Sequence, residues 1–205
     1  MENTVYLRAY KEPPINKKEI LRYAGVGQST PQIDTIIDEC IEELSDKLSY
    51  KVCYREFPIN CNGETVDLTF TKATSSSLAK NLNECSSIVL FAATVGINMD
   101  RLIARYANIS PTKSLLFQAI GAERIESLCN VFNREVTQEK MRLGLKTCPR
   151  FSPGYGDLSL DIQKDIITVL DCPRKIGVTL NESLLMSPSK SVTALIGVTY
   201  GTEQE

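Results

Sequence analysis

Apolar side chains near the start of the chain recur at the three- and four-residue spacing of an α-helix. Thr30 and Pro31 suit the N-cap and the first turn of such a helix. The apolar positions that follow them on one face are Ile33, Ile37, Cys40, Ile41, Leu44 and Leu48. The pattern predicts an amphipathic helix of about five turns. A shorter helix is predicted before it, beginning at Asn16 and closing at Gly25.

The period then changes from helical spacing to the alternation that is typical of a β-strand. Apolar and polar residues alternate over residues 50–57 and again over residues 66–70, with Asn62-Gly63 between the two runs. Because this dipeptide favours a tight turn, the two runs are predicted to form a hairpin. Further along, the unbroken apolar run at residues 88–91 predicts a strand that is buried on both faces.

The second half of the chain mixes helices and strands without strict alternation. Helices are predicted over residues 99–107 and 110–141, the longer one with Ser110 as its cap. A Pro/Gly-rich loop, a helix, a short strand, a polar loop and a last strand are predicted at residues 149–156, 159–169, 176–180, 181–190 and 191–199. This order favours an α+β fold, one domain over residues 1–205 with a mainly antiparallel twisted sheet flanked by helices.

Composition narrows the class of protein. The net charge of −2 and the lack of a Lys/Arg run argue against nucleic-acid binding. The polar N-terminal residues and an apolar run limited to residues 88–93 predict a cytoplasmic protein that does not cross a membrane. Seven cysteines without a CxxC pair are predicted to be reduced, mostly buried thiols. The chain has no histidine, so it offers no imidazole as a general base, a zinc ligand or an axial ligand to cobalt.

Two segments carry candidate chemistry. In the first, Ser152-Pro153-Gly154-Tyr155 fits a type II turn that lets the backbone approach a ligand, and Arg150 can grip a carboxylate. In the second, residues 180–194 place Glu182 and several hydroxyl groups in a loop between two strands. Taken alone, the first segment fits an ordinary surface turn beside a solvated arginine, and the second fits a polar connection between strands.

Together, the two segments resemble the C-terminal reactivation domain of cobalamin-dependent methionine synthase. That family carries an Arg-x-x-Pro-Gly-Tyr turn, a helix, and then a Leu-Thr-Glu-Ser loop with Met-x-Pro and Ser-Val-Ser-Gly. The corresponding residues here are Arg150, Pro153, Gly154, Tyr155, Leu180, Glu182, Ser183, Met186, Pro188, Ser191, Val192, Thr193 and Ala194. The resemblance is clearest over residues 119–198 and predicts a stand-alone version of that domain.

The resemblance implies that the chain binds S-adenosylmethionine (AdoMet) and helps to remethylate inactive cobalamin. Cobalamin is expected on a partner, a corrinoid-binding methionine synthase or methyltransferase, with flavodoxin or ferredoxin as the electron donor. Arg150 is expected to hold the methionyl carboxylate. The residues expected to border the nucleoside, the ammonium or sulfonium group and the cobalamin face are Ser152, Gly154, Tyr155, Glu126, Glu182 and Ser183.

The chain departs from the family pattern at two places. The aromatic pair of the family's last strand falls on Ile196 and Gly197, and the family's acidic residue near the domain start has no clear counterpart in residues 1–14. These departures leave open a second interpretation, a non-catalytic docking module that has lost AdoMet. Glu126 alone also fits an edge-of-core carboxylate, and the cysteine count leaves open a redox or metal protein.

Overall fold

The computed structural model describes residues 4–200. Its strands are β1 (Tyr6–Tyr10), β2 (Tyr50–Pro58), β3 (Asn60–Asn62), β4 (Thr65–Asp67), β5 (Lys72–Thr74), β6 (Ser87–Thr94), β7 (Leu145–Thr147), β8 (Thr179–Leu180), β9 (Met186–Ser187) and β10 (Ser191–Tyr200). Its helices are α1 (Lys17–Tyr23), α2 (Pro31–Leu44), α3 (Ser76–Asn81), α4 (Asn98–Tyr106), α5 (Pro111–Met141), α6 (Ile162–Val169) and α7 (Cys172–Ile176).

The main sheet has five strands in the order β1-β2-β6-β10-β7, and every neighbouring pair is antiparallel. Two small antiparallel sheets, β3-β4-β5 and β8-β9, stand apart from it. The predicted α+β fold with a mainly antiparallel sheet flanked by helices is therefore confirmed. The extent of the domain over residues 1–205 stays a prediction.

Apolar cores cover both faces of the central strand β6. Val89, Phe91 and Ala93 pack in a core shared with α1, α2, α4 and α5. Ile88 and Leu90 belong to the opposite core, which α3, α6 and α7 cover. Because alternate residues of a strand point to opposite faces, a strand covered on both sides must be apolar throughout. This explains the unbroken apolar run in the sequence.

Three of the predicted helix starts, those of α1, α2 and α5, depend on local chemistry and are confirmed. The side chains of Asn16, Thr30 and Ser110 each accept a hydrogen bond from a backbone N–H in the first turn of α1, α2 and α5. These bonds satisfy N–H groups that have no partner inside the helix. At the end of α1, Gly25 takes a positive φ of 70°.

Two predictions about the first half were wrong in part. The second helix ends at Leu44, and Leu48 packs half-buried against the core from the loop beyond it. Asn62-Gly63 does turn a hairpin, but that hairpin joins the short strands β3 and β4. The longer strand β2 pairs instead with β1 and β6, because sheet partners are chosen by burial across the fold and not by the nearest turn.

Two further corrections concern the last third. The strand predicted over residues 176–180 is reduced to Thr179–Leu180, because α7 occupies the residues up to Ile176. Ser159 lies before the N-cap of α6, which is Asp161, and its hydroxyl accepts the Asp161 N–H at 3.1 Å. None of the helices within residues 4–200 combines the length and the apolar character needed to span a bilayer.

Candidate functional site

A cavity of about 340 Å³ lies beside the first residues of β10, between α5, α6 and the loop that follows β7. This volume is within the range of small-molecule sites. We call it the β10 cavity. Its lining residues are Glu126, Arg150, Phe151, Ser152, Pro153, Tyr155, Gln163, Met186, Ser191, Val192 and Thr193.

The loop along one side of the β10 cavity contains the predicted type II turn. The Tyr155 N–H donates to the Ser152 carbonyl at 3.2 Å, and Gly154 takes a positive φ of 85°. A β-carbon at position 154 would lie 3.2 Å from the Leu160 side chain as well as being strained at this φ. The turn holds Tyr155 at the cavity wall with 68% of its surface exposed.

Arg150 and Glu126 form an ion pair at another part of the wall. The Arg150 guanidinium donates to the Glu126 carboxylate at 2.5 Å and to the Asn130 side-chain oxygen at 2.8 Å. Both members of the pair also line an adjoining cavity of about 410 Å³ between α1 and α5. The site therefore presents a cation and an anion side by side, each half-buried and accessible from two cavities.

The strand edge along the β10 cavity has backbone groups without a strand neighbour. Phe151 and Leu195 exchange both backbone hydrogen bonds, at 2.9 Å each, on the edge of β10 that faces away from β6. The backbone N–H and C=O groups of successive residues in a strand point to opposite edges. Those of Thr193, two residues before Leu195, therefore point to the same edge as those of Leu195. Within residues 4–200, β7 pairs with β10 only from Val198 onward, so no strand covers the edge at Thr193.

Two buried polar side chains of the wall have no hydrogen-bond partner within the described residues. They are the side-chain oxygen of Gln163, a residue 5% exposed, and the hydroxyl of Thr193, a residue 2% exposed. A buried polar atom without a partner costs about 1–3 kcal/mol. Buried polar atoms without a partner are the exception in folded proteins, and here two of them belong to the wall of one cavity.

Comparison with known proteins gives a result at the level of the fold. No protein-family model and no curated protein matches the chain. Among solved structures it is similar to one described as "Crystal Structure of the MetH Reactivation Domain bound to AdoHcy", at 16% identity and a TM-score of 0.67. The similarity covers 98% of this chain and 80% of that chain.

The chain has the MetH reactivation-domain fold. This confirms, for the fold, the resemblance that the turn and loop motifs indicate. Because the match rests on three-dimensional shape and not on identity, it tests none of the individual site residues.

On this reactivation-domain fold, the predicted site residues divide into two groups. Glu126, Arg150, Ser152 and Tyr155 line the β10 cavity, and Gly154 shapes the turn between them. Glu182 and Ser183 lie outside that lining, exposed in the connection between β8 and β9.

Ile196 and Gly197, which replace the aromatic pair of the family's last strand, also lie outside the lining of the β10 cavity. Ile196 is fully buried in the core that includes α5. Gly197 lies beneath Cys85, whose sulfur would be 2.7 Å from a β-carbon at that position. Their substitution therefore does not alter the wall of this cavity.

Sequence reasoning missed Gln163 as a candidate. A signal was present, because Gln163 shares the buried face of α6 with Ile166 and Ile167. A polar residue within an apolar helical stripe needs a partner when it is buried. Thr193 belongs to the segment that matches the family's Ser-Val-Ser-Gly, but the direction in which its hydroxyl points depends on the register of β10.

Asp157 anchors the site loop to the start of α3. Its carboxylate accepts hydrogen bonds from the Ser75 hydroxyl, from the Ser76 N–H at 2.8 Å and hydroxyl at 2.9 Å, and from the Ser77 N–H at 3.1 Å. The Ser75 hydroxyl and the backbone N–H of Ser77 are the main causes that hold the pKa of Asp157 well below its usual range.

Asp157→Asn is expected to lower stability more at neutral pH than in acid. A carboxylate with a depressed folded-state pKa stabilises the fold above its unfolded pKa of about 3.9, and this contribution falls as pH drops toward the folded value. Urea unfolding at pH 7, 5 and 3 measures the difference in the free energy of unfolding between the wild type and Asp157→Asn. This difference should be constant between pH 7 and 5 and smaller at pH 3. An equal difference at all three values would contradict this account.

The structure gives no support for a metal centre built from several residues. Within residues 4–200, no group of three or more Cys, Asp or Glu side chains is arranged to hold a metal ion.

Proposed function

We propose that the β10 cavity binds AdoMet or its demethylated form, S-adenosylhomocysteine (AdoHcy). The observation that carries the proposal is the pair of buried, unpartnered oxygens of Gln163 and Thr193 in the same wall as the Arg150–Glu126 ion pair. A solved domain of the same fold is described as bound to AdoHcy, which supports the same class of ligand.

The proposed ligand has groups that match each part of the cavity. Arg150 offers N–H donors to the methionyl carboxylate, and Glu126 lies where a carboxylate would stabilise the ammonium or sulfonium charge. The edge of β10 at Thr193 and the Gln163 oxygen offer partners to the ribose and the base. Ser152, Gly154 and Tyr155 form the turn against which the nucleoside would pack.

We further propose that the chain acts as an accessory unit for a corrinoid enzyme. AdoMet held in the β10 cavity would supply a methyl group to cobalamin on a partner methionine synthase or related methyltransferase, and the electron would come from flavodoxin or ferredoxin. The absence of histidine from the sequence supports placing cobalamin on the partner.

An apolar rim beside the β10 cavity supports docking at this face. Tyr155, Leu160 and Leu185 expose 68%, 45% and 65% of their surfaces. Leu160 packs against the turn at Gly154, and Leu185 precedes the cavity residue Met186. Glu182 and Ser183 in the same β8–β9 connection would then border the partner and not the bound AdoMet. Exposed apolar side chains that cluster around a cavity mouth are typical of interaction surfaces.

Ligand-dependent thermal stability tests the proposal. A ligand at 100 times its dissociation constant stabilises a protein by about 2.7 kcal/mol, which corresponds to a rise of roughly 5–10 °C for a domain of this size. Millimolar AdoMet and AdoHcy are expected to produce such a rise, whereas methionine or ATP at equal concentration should not. No rise with either nucleoside would contradict ligand binding and favour the docking module.

Thr193→Val is expected to weaken AdoMet binding while stabilising the free protein. Valine has nearly the shape of threonine but removes a buried hydroxyl that has no partner in the unliganded protein. The free protein should gain up to about 1 kcal/mol, and the lost hydrogen bond should lower ligand affinity roughly five- to tenfold. Calorimetric titration and urea unfolding measure the two effects.

Thr137→Val is the matched control for this variant. Its hydroxyl is hydrogen-bonded to that of Thr147 at 2.8 Å and lies outside the β10 cavity. Its replacement should cost stability and leave affinity unchanged. If Thr193→Val behaved like Thr137→Val, the Thr193 hydroxyl would have no part in binding.

A further inference from the structure

Two thiols that the proposed function does not use face each other close to the β10 cavity. The sulfur atoms of Cys85 and Cys148 are 3.4 Å apart, although 63 positions separate the residues in sequence. Both residues are half-buried and neither is in a disulfide. Cys148 stands two positions before Arg150 in the loop that forms one side of the cavity.

Both thiols lie outside the helices and strands and meet over a glycine. Cys85 lies between α3 and β6, and Cys148 directly follows the end of β7, so neither belongs to a helix or a strand. Both side chains meet over Gly197, where a β-carbon would come within 2.7 Å of the Cys85 sulfur and 3.3 Å of the Cys148 β-carbon. A glycine at this position of β10 thus creates the space in which the sulfurs meet.

We propose that Cys85 and Cys148 are a modification site, a thiol pair that small disulfide oxidants such as oxidised glutathione convert reversibly to an intrachain disulfide. Bonded sulfurs are about 2.05 Å apart, so the two atoms must approach by roughly 1.3 Å from their present 3.4 Å. Rotation of the two side chains, with a small adjustment of the flanking loops, covers this distance.

The reaction proceeds by two thiol–disulfide exchanges. Burial and the hydrogen bond with Cys148 raise the pKa of Cys85 to about 12. One thiol of the pair attacks the oxidant, forms a mixed disulfide and releases one glutathione thiol. The other thiol then attacks the bonded protein sulfur and releases the second glutathione. Two protein thiols are oxidised, one oxidant disulfide is reduced to two thiols, and each proton passes to a departing thiolate.

Formation of the Cys85–Cys148 disulfide would also affect the backbone next to Arg150. The Cys148 N–H donates to the Gly197 carbonyl at 2.9 Å. The carbonyl of the following residue, Pro149, accepts a hydrogen bond from the Asn81 side-chain amide at 3.1 Å. Drawing Cys148 toward Cys85 strains both hydrogen bonds, because they hold the same stretch of backbone. The disulfide is therefore expected to loosen the backbone between Cys148 and Phe151.

The remaining cysteines provide comparisons within the same molecule. Cys53 and Cys172 also face each other, at 3.8 Å, but both are fully buried, so an oxidant cannot reach them in the folded protein. Cys61 is exposed and close enough to contribute to the raised pKa of Cys85. It would compete for the oxidant and is best removed from the test protein.

The experiment uses the folded Cys61→Ser protein treated with oxidised glutathione at pH 8, with no other ligand present. We expect the intact mass to fall by about 2 Da, the mass of two hydrogen atoms, and reduction with dithiothreitol to restore it. Peptide mapping should join Cys85 to Cys148 and leave Cys53 and Cys172 free. Hydrogen exchange of the Cys148 and Phe151 amides should be faster in the oxidised form.

Cys85→Ser and Cys148→Ser, each added to Cys61→Ser, are the matched variants and should not show the mass loss. Stable glutathione adducts without closure in Cys61→Ser, or a link between Cys53 and Cys172, would overturn the assignment of the site. A disulfide that leaves amide exchange at residues 148–151 unchanged would overturn its connection to the cavity loop. AdoMet takes no part in this test, so its result is independent of the proposed function.

Discussion

Arg150→Ala is expected to weaken AdoMet binding about 10- to 100-fold. A hydrogen bond between charged groups contributes about 1.5–3 kcal/mol, and each 1.4 kcal/mol changes the dissociation constant tenfold. Arg150 already donates to Glu126 and Asn130, which holds its guanidinium in place before a ligand arrives. Its remaining N–H groups are free to pair with a carboxylate, so little side-chain ordering is left to oppose binding. Isothermal titration calorimetry measures the loss.

The controls for Arg150→Ala separate charge from geometry. Arg142 is exposed at the C-terminal end of α5, away from the β10 cavity, and Arg142→Ala should leave affinity unchanged. Arg150→Lys keeps the charge but loses the planar fork, so its affinity should fall between those of the wild type and Arg150→Ala. An Arg150→Ala protein that is folded, by its melting temperature, and binds AdoMet normally would exclude Arg150 as the carboxylate partner.

Glu123→Gln is expected to destabilise the protein by about 3–5 kcal/mol, because it removes the buried carboxylate that neutralises the Arg124 guanidinium and leaves only the exposed Glu12 carboxylate, 3.7 Å away. Arg124 is 1% exposed and Glu123 is 2% exposed. The carboxylate accepts two hydrogen bonds from Arg124, at 2.5 and 2.7 Å. It also accepts the backbone N–H of Asn16, the N-cap of α1, at 3.1 Å. Glutamine keeps the shape, but its amide nitrogen cannot accept a hydrogen bond, so the variant removes the charge together with one of the two acceptor oxygens. Urea unfolding measures the loss.

An exposed ion pair supplies the control for this prediction. Glu139 pairs with Arg8 at 2.9 Å, but both side chains are partly exposed, so Glu139→Gln should cost no more than about 1 kcal/mol. The double variant Glu123→Leu with Arg124→Met removes both charges and should be more stable than Glu123→Gln. If Glu123→Gln and Glu139→Gln lowered the free energy of unfolding by similar amounts, the buried ion pair would contribute no more to stability than the exposed one.

The parts of the site that the sequence could predict are those set within a few neighbouring residues. The turn at residues 152–155 follows from a proline that fixes one backbone angle and a glycine that permits a positive φ. That Arg150 faces Glu126, 24 positions away, does not follow from any local pattern. The local pattern suggested Arg150 as a partner for a carboxylate, whereas the ligand role of Glu126 came only from the family resemblance. The resemblance also gave a role to Glu182, which lies outside the cavity lining.

The register of β10 decides which polar side chains enter the cavity. Thr193 points toward α6 and Val192 toward α5, and a shift of one residue would exchange them. Gln163 is a candidate only because α6 packs over that same stretch of strand. Neither the register nor the packing is visible in the local composition, so the two unpartnered oxygens became evident only in three dimensions.

Local sequence was enough to predict the starts of α1, α2 and α5, the turn at Gly154, the central buried strand and the α+β class. Each of these depends on hydrogen bonds, backbone angles or periodicity within a short window of residues. The tertiary structure alone decided the partners of β2, the end of the second helix at Leu44, the meeting of Cys85 with Cys148 and the assembly of the β10 cavity. These depend on contacts between distant residues, whose free energy comes from burial across the whole fold.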